Sequence, residues 1–397
     1  MVISEILELD RLAKESVERY TVRRPLYQEL AGKRGKQFFG VIGPRGAGKT
    51  VLLQQLAHNT ASSIYISVDA FQDLPLFDTA KELQTRFGIQ TLFLDEIHYR
   101  KDFSIELKKI YDFLDMHIIF TSSIALALEQ LSVDLSRRVR LLPLPLFSFR
   151  EYIGFSTGTF LPALPIDRIF SGTVEQTYLS YESQFASYLH GGILPFSLND
   201  PDPLPLLANI LKTVIRSDIP KVHRLAVDEL DTLERIVRFI GRSSVDGINY
   251  SSVAKNIGIT KYKAISYLGL LDRALVLHLL MPKGANVSKE PKVLLRTPYR
   301  LLFREYDECI GGLREDFVVD MLAATNLPLY YLKSTRGKKT PDFLLEFEDE
   351  EVVIEVGGKA KGRSQFKGIS TKTKIIFSQT PSPTKAQRPL SLLGMMY

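Results

Sequence analysis

The chain has 397 residues, of which 45% are hydrophobic and 24% charged, and its formal net charge is +6. This length favours two or three domains, and the composition is ordinary for a globular protein. A single cysteine, Cys309, excludes an intrachain disulfide and a thiolate metal cluster, and the charge favours a polyanionic partner only mildly.

The first residues mix acidic with apolar side chains, and this pattern differs from that of a signal peptide. No segment reaches the ~18 apolar residues that a membrane helix requires. We therefore expect a soluble cytoplasmic protein without a membrane partner.

A strand predicted over 38–42 leads into GPRGAGKT, and apolar residues at helical spacing follow it. Glycines let such a loop wrap a phosphate with its amide N–H groups inward, and the following helix amino terminus favours anionic oxygens. Lys49 would reach the β- and γ-phosphates of ATP, and the Thr50 hydroxyl would bind Mg²⁺. The predicted nucleotide-binding residues are Gly43, Pro44, Arg45, Gly46, Ala47, Gly48, Lys49 and Thr50.

An acidic pair follows the apolar residues of TLFLDEIH. On a buried strand, this order would put Asp95 near the Mg²⁺ and Glu96 beside an attacking water, where it can act as the base. An acidic pair that ends a strand is more often a helix cap, but the phosphate loop upstream favours the catalytic interpretation.

Strands are also predicted over IYISVDAF, ending at Asp69, and over HIIFTSS, with a helix over FSIELKKIYDFL between them. Alternating strands and helices predict an α/β fold, with a parallel sheet and its ligand at the carboxyl ends of the strands. This order resembles the AAA+ ATPases. The resemblance implies that Thr121 or Ser122 senses the γ-phosphate. It also implies an arginine finger at Arg137 or Arg138, and hence a homo-oligomer, although a pair of solvated arginines is an equal alternative.

The helix predicted over SIALALEQLSVDL follows the second of these strands, and a further strand follows it. A helical lid would then end near Pro195, where a proline-rich stretch predicts a boundary.

Residues 248–282 have the pattern of a helix-turn-helix followed by a strand, as in a winged helix. Ser251 or Ser252 would cap the first helix, Gly258 would make the turn, and Thr260 would cap the second helix. The residues predicted to point inward from the second helix are Ile265, Leu268 and Leu271.

The start of this second helix carries Lys261 and Lys263. Their position suits phosphates or base edges of DNA. Winged helices also serve as packing or protein-contact modules, so this basic pair leaves both interpretations open.

The sequence KKTPDFLLEFEDEEVVIEV predicts a β-hairpin with strands over 342–347 and 352–356. Antiparallel pairing would bring Asp342 and Glu355 to the same end of the hairpin, where they could share a divalent cation. An amphipathic helix is predicted upstream over GGLREDFVVDMLAA, with Glu315 near its start.

These residues resemble the PD-(D/E)XK nuclease superfamily, which has a helical glutamate, a Pro-Asp pair, a hairpin, and a glutamate with a nearby lysine. The resemblance implies Mg²⁺ or Mn²⁺ bound by Asp342, Glu355 and Glu315. The superfamily has its lysine two residues after the strand glutamate, where this chain has Gly357. Lys359 could swing back, since paired glycines permit unusual backbone angles, or it could be a surface residue.

A basic run adjoins these carboxylates: six basic and no acidic residues lie between positions 357 and 374. Such a run predicts phosphate binding, although a solvated loop is the alternative. Gln365 resembles a glutamine that some of these nucleases carry after the lysine. The six basic residues are Lys359, Lys361, Arg363, Lys367, Lys372 and Lys374.

The whole order resembles prokaryotic AAA+-type ATPases fused through a winged helix to a PD-(D/E)XK-like domain. We divide the chain into an AAA+-like P-loop core over 1–155, a helical lid and linker over 156–225, a winged-helix-like domain over 226–290 and a nuclease-like domain over 291–397. We predict a Mg²⁺-dependent ATPase coupled to a nucleic-acid-binding domain, DNA being favoured over RNA, with cleavage left open.

The alternative is a nucleotide-dependent switch or scaffold whose inactive nuclease-like domain contacts proteins. A small-molecule kinase is disfavoured, because the acidic pair suits attack by water.

Overall fold

The computed structural model describes residues 2–33, 35–124, 135, 137–243, 247–284, 290–332, 340–357, 366, 371, 373–384 and 386–397. These residues form two compact units. Unit 1 comprises Met1–Leu146 and Arg216–Arg224, and unit 2 comprises Phe147–Ile215 and Leu225–Tyr397. The division into four parts made from the sequence stays a prediction. No helix in the described ranges is long and apolar enough to cross a membrane.

Unit 1 is built on a five-stranded parallel sheet with the strand order β2-β3-β4-β1-β5. The α/β fold predicted from the sequence is thus confirmed. Because all of these strands run in the same direction, their carboxyl ends meet at one edge of the sheet. The strands are β1 Phe38–Ile42, β2 Ser63–Ser67, β3 Thr91–Asp95, β4 His117–Ser122 and β5 Val139–Pro143.

Helices cover both faces of this sheet, so successive residues of one strand are buried on opposite sides. Phe38 and Ile118 belong to one apolar cluster, and the adjacent Phe39 and Ile119 belong to a second. This is the burial pattern of parallel strands, which read as continuous apolar runs. The helices of unit 1 are α1 Val2–Ser16, α2 Pro25–Leu30, α3 Lys49–His58, α4 Leu76–Phe87 and α5 Phe103–Phe113, with short helical turns at Val17–Arg19, Ile97–Tyr99 and Ile219–Val222.

One detail of unit 1 differs from the prediction. Strand β2 ends at Ser67 rather than Asp69, because a turn closes there with a hydrogen bond from the Ala70 amide to the Ser67 carbonyl (3.2 Å). The helix predicted after β4 falls on 125–134, outside the described residues.

Unit 2 begins with helices and short helical segments and continues into three helices and a two-stranded sheet, in the order predicted for a winged helix. Strands β6 and β7 pair antiparallel. The longer elements are α6 Phe149–Thr157, α7 Ile166–Ser171, α8 Leu204–Thr213, α9 Val227–Arg242, α10 Tyr250–Ile257, α11 Lys261–Arg273, β6 Leu277–Leu280 and β7 Lys292–Leu295. The short helical segments are Gln176–Leu179, Glu182–Gln184, Phe185–Ser187, Tyr188–Gly192, Pro195–Leu198 and Tyr299–Leu302, and the segment Val214–Asp218 crosses from unit 2 into unit 1.

The capping residues of α10 and α11 were predicted only in part. Thr260 caps α11 and Gly258 ends α10 with φ 78°, as expected. The cap of α10 is Asn249, whose side chain accepts from the Ser252 amide (2.9 Å), so neither serine is the cap. Ile265, predicted to point inward, is 43% exposed. The classification of this segment as a winged helix stays a prediction.

The last part of unit 2 holds a five-stranded sheet with the strand order β12-β11-β10-β9-β8. The predicted hairpin is present: β9 and β10 pair antiparallel, with Phe343 opposite Ile354. Glu315 lies in the middle of helix α12 and not near its start, because the helix begins nine residues earlier, at Tyr306. The elements are α12 Tyr306–Ala323, β8 Leu329–Tyr331, β9 Phe343–Phe347, β10 Glu350–Gly357, β11 Thr373–Ser378, β12 Gln387–Pro389 and a final helical segment Leu390–Met395.

Candidate ATP site and a second carboxylate cluster

The loop between β1 and α3 has a backbone that only glycine accommodates at its two ends. A Cβ atom on Gly43 would lie 2.0 Å from the carbonyl oxygen of Leu144. Gly48 has φ 85° and stands directly before α3, which begins at Lys49. The loop therefore delivers its backbone and the amino terminus of α3 to the carboxyl edge of the sheet, where anionic oxygens are favoured.

Lys49 points into this loop and is almost fully buried. Its Nζ donates to the carbonyl oxygens of Gly43 (2.9 Å) and Pro44 (3.1 Å) and to the Ser123 hydroxyl (2.7 Å). Burial lowers the pKa of the Lys49 ammonium, and the Glu96 carboxylate, 3.9 Å away, opposes that shift. A phosphate oxygen would compete with these neutral acceptors for a cation that is already in place.

Asp95, at the end of β3, is held by hydroxyl groups. It accepts hydrogen bonds from Tyr65 (2.9 Å), from Thr121 and from Thr50. Burial raises the pKa of Asp95, the Glu96 charge adds to the effect, and the three hydroxyls oppose it. A carboxylate beside a threonine hydroxyl is the oxygen donor set that Mg²⁺ takes at nucleotide sites, with water and phosphate completing the shell. Thr50 and Asp95 therefore fit the predicted ion.

Glu96 has the contacts expected of an ionised carboxylate. It accepts from the Ser123 amide (3.1 Å) and hydroxyl, and its Oε2 lies 3.2 Å from His98 Nδ1. Burial is the largest single influence and raises the pKa of Glu96, but the charge of Lys49, the hydrogen bond from Ser123 and the charge of Arg45 act together with His98 to bring the net shift downward. Burial lowers the pKa of His98 to about 4, so this ring is neutral at pH 7.

The hydroxyl residues at the end of β4 have separate contacts. Thr121 donates to Asp95 and accepts from the Glu96 amide (2.9 Å), whereas Ser122 faces His98 (3.3 Å). Ser123, which bonds both Lys49 and Glu96, was missed by sequence reasoning. The three consecutive hydroxyl residues that end HIIFTSS could have indicated a role for Ser123 in the site.

The two candidate finger arginines, which precede β5, differ in environment. Arg138 pairs with Asp112 (3.0 Å) and lies over the Tyr111 ring (5.4 Å), while Arg137 is exposed on the turn. The assignment of a finger to either residue stays a prediction.

A second group of charged residues lies in unit 2, around the β9–β10 hairpin. The Val356 amide donates to Asp342 (2.8 Å), and Glu355 is buried close by. Burial, with the charges of Glu315 and Glu355, raises the pKa of Asp342 to about 7. The hairpin and helix α12 thus bring together the three acids predicted from the sequence.

A lysine that sequence reasoning missed belongs to this group. Lys292 Nζ on β7 lies 2.6 Å from a Glu315 carboxylate oxygen and 5.1 Å from the centroid of the Phe343 ring. In the described part of the chain, no group of three or more His, Cys, Asp or Glu side chains is placed to hold a metal ion. The assignment of Asp342, Glu355 and Glu315 as metal ligands stays a prediction.

Several of the predicted binding residues cannot be placed around this group. Lys359 and Gln365 lie outside the described residues, and Lys374, on β11, is the described member of the basic run. Of the basic pair on α11, Lys261 forms an ion pair with Glu290 and Lys263 is exposed.

Comparison with known protein families assigns most of unit 1 to a family of ATPase domains. Residues 35–153 match an AAA domain family, and residues 182–298 match a domain of unknown function, DUF8612. The chain therefore contains a P-loop ATPase domain of the AAA class.

The chain also has a relative that spans most of its length. It is 30% identical over 372 residues to the uncharacterized protein MJ1637 of Methanocaldococcus jannaschii, an alignment that covers 84% of this chain and 78% of that protein. The chain belongs to the same family as MJ1637.

Comparison with solved structures gives matches of low identity and low TM-score. The Aeropyrum pernix ORC1 protein in complex with DNA is 13% identical with a TM-score of 0.33, covering 78% of this chain and 94% of that one. The Thermotoga maritima RuvB Holliday junction branch migration motor is 17% identical with a TM-score of 0.28, covering 75% and 90%. The Saccharomyces cerevisiae Hsp104–ADP complex is 18% identical with a TM-score of 0.31, covering 66% and 41%.

Proposed function

We propose that the protein binds ATP with Mg²⁺ and hydrolyses it. The observation that carries the proposal is Ser123, which joins the loop lysine to the acidic pair by hydrogen bonds to both Lys49 and Glu96. A cation for the phosphates and an ionised base for water thus lie at one edge of the sheet.

In this mechanism, Glu96 takes a proton from the attacking water, and the low pKa of its carboxyl group keeps it ionised at pH 7. Lys49 neutralises charge on the β- and γ-phosphates, and Thr121 keeps Asp95 oriented. Mg²⁺, held through Thr50 and Asp95, would polarise the phosphate oxygens.

The ATPase proposal is tested by turnover and binding measured on the same preparations. Glu96→Gln should lower kcat by about 10²–10⁴ while ATP still binds, because it removes the base and leaves the loop intact. Lys49→Ala should lose binding as well. Wild-type turnover in Glu96→Gln would contradict the proposal.

We also propose that the active form is a homo-oligomer in which Arg137 reaches a neighbouring subunit's nucleotide. Its exposure beside the paired Arg138 supports this choice. Arg137→Ala should reduce turnover without changing ATP affinity. Mixing Arg137→Ala subunits with inactive Glu96→Gln subunits should restore part of the turnover, because the second variant supplies the arginine and the first supplies the base. Full activity of a monomer, measured by light scattering with the assay, would contradict the proposal.

We propose further that ATP turnover is coupled to nucleic-acid binding by the part of unit 2 that follows β7, with DNA favoured over RNA. The basic run between 357 and 374, which follows Glu355 directly in the sequence, supports this view. Binding to labelled DNA should weaken steeply as salt is raised, because lysines and arginines release counterions from phosphates. Absence of binding at low salt would contradict it.

Lys292 favours the second candidate function, a nucleotide-dependent switch or scaffold with an inactive nuclease-like domain. Its ammonium already neutralises Glu315 beside Asp342, where the nuclease resemblance would place a divalent cation. Incubation of single- and double-stranded DNA and RNA with Mg²⁺ or Mn²⁺ separates the two. Cleavage that is lost in Asp342→Ala and Glu355→Ala identifies a nuclease, and absence of cleavage on all substrates favours the switch.

A further inference from the structure

A short segment of the chain, Arg216–Arg224, returns to unit 1 from unit 2 and is followed again by unit 2. We call it the returning segment. Asp218, within it, has no exposed surface, and its carboxylate receives two hydrogen bonds from Arg45, from Nε (2.5 Å) and from Nη2 (2.8 Å). Arg45 is the third residue of the phosphate loop, so an acid distant in sequence is bound to the loop that would hold ATP.

Two further contacts hold the returning segment on unit 1. Lys221 Nζ lies 3.3 Å from the centroid of the Tyr99 ring, and the Tyr99 hydroxyl accepts a hydrogen bond from Arg45 (3.0 Å). Val222 packs against the apolar cluster that includes Phe38. The Arg45–Asp218 pair is therefore part of a packed surface, in contrast to isolated ion pairs between exposed side chains.

The electrostatics of this pair depend on what occupies the loop. Glu96 and Asp218 are the acids whose charges act on Arg45. A bound triphosphate adds several negative charges beside the same guanidinium, and phosphate oxygens match its planar donors as well as a carboxylate does. If Arg45 turns to the phosphate, Asp218 is left buried without its cation, which is unfavourable in a dry environment.

We propose that Arg45 exchanges Asp218 for the γ-phosphate when ATP binds, and that this exchange releases the returning segment. Asp218 is then a positioning residue that competes with the γ-phosphate for Arg45, so that the contact between the loop and the returning segment depends on whether ATP or ADP is bound. Since both ends of the returning segment continue into unit 2, the chain itself carries the nucleotide state to that unit. This inference rests on the proposed ATP binding and deepens it.

Hydrogen exchange of the wild-type protein tests the proposal without any substitution. Backbone amides of 216–224 should exchange faster with a non-hydrolysable ATP analogue than with ADP, with occupancy of both nucleotides confirmed by calorimetry. Equal exchange at full occupancy overturns the proposal, while the ATPase function stands. Failure of both nucleotides to bind refutes the ATP function itself, and the exchange mechanism with it.

Substitutions at the pair separate a positioning role from a structural one. In Asp218→Asn, Arg45 is free for the phosphate, so the ratio of ATP to ADP affinity should rise about tenfold, within the usual range of coupling between sites. Asp218→Glu should restore part of the wild-type ratio. Arg45→Gln should lower the ratio, and Asp218→Asn should have no further effect in that background.

The matched control is Glu82→Gln, which removes the acid of an exposed ion pair with Arg86 on α4 of the same unit. It should leave the affinity ratio at the wild-type value. A melting temperature lowered in Asp218→Asn with an unchanged affinity ratio shows a purely structural ion pair and overturns the proposal.

Discussion

Ser123→Ala is the substitution that tests the ATP site most directly, because the Ser123 hydroxyl contacts both the loop lysine and the proposed catalytic glutamate. The hydroxyl of Ser123 accepts from Lys49 Nζ at 2.7 Å and donates to a Glu96 carboxylate oxygen. Alanine removes both hydrogen bonds and only one heavy atom. The Ser123 amide still donates to Glu96 (3.1 Å), so the base remains near its position but loses part of its orientation.

The expected magnitude follows from the charge of the two partners. A hydrogen bond to a charged group contributes about 1.5–3 kcal/mol. Lys49 keeps its hydrogen bonds to the carbonyl oxygens of Gly43 and Pro44, so the loss of its hydrogen bond to Ser123 is partly compensated. If the loss falls mainly on the transition state, kcat should drop by about 10–100-fold, since about 1.4 kcal/mol corresponds to a factor of ten. KM for ATP should change less.

The assay is steady-state phosphate release, with nucleotide affinity measured separately. Ser63→Ala is the matched control, because Ser63 is a buried serine of the same unit whose hydroxyl donates to the carbonyl oxygens of Ala57 and Thr60 and not to a residue of the described ATP site. It should keep the wild-type kcat. Wild-type kcat and KM in Ser123→Ala, together with lost turnover in Glu96→Gln, would refute the assigned geometry.

Three other predictions concern the loop, the pH dependence and the second cluster. Gly43→Ala should abolish ATP binding and lower the melting temperature, because its Cβ would lie 2.0 Å from the Leu144 carbonyl oxygen; a wild-type affinity for ATP would contradict this. The pKa of His98 is lowered from 6.5 to about 4, so the unfolded chain binds this proton at higher pH than the folded protein does. The contribution of neutral His98 to the free energy of unfolding is fully present above pH 6.5 and should fall by roughly 3 kcal/mol as the pH is lowered towards 4. Chemical denaturation followed by circular dichroism would measure this loss, and His98→Gln should show a smaller loss of stability between pH 6.5 and pH 4. Lys292→Met should destabilise the protein by about 1.5–3 kcal/mol, since it leaves the partly buried Glu315 without the hydrogen bond to its cation, and the double variant with Glu315→Leu should recover most of that loss in thermal unfolding.

The features of the structure that could be predicted are formed by residues close together in the sequence. The loop from Gly43 to Thr50, with its apolar strand and its helix, is recognisable because backbone turn, cation and helix start all lie within one short segment. The acids Asp95 and Glu96 directly follow a buried strand, and the β9–β10 hairpin has its turn between two alternating strands. Local spacing determines all of these, so the sequence was sufficient.

The contacts that only folding creates could not be predicted. Asp218 is 173 positions from Arg45, Ser123 is 74 positions from Lys49, and Lys292 is 23 positions from Glu315 on a different element. Periodicity likewise misplaced Ile265, because it identifies an apolar residue without showing whether another element covers it. The need for glycine at position 241, within α9, also depends on the fold, because a Cβ there would lie 2.2 Å from the Phe303 ring. Which distant side chains come into contact depends on packing and charge across the whole chain. Short stretches of sequence, considered one at a time, do not show these contacts.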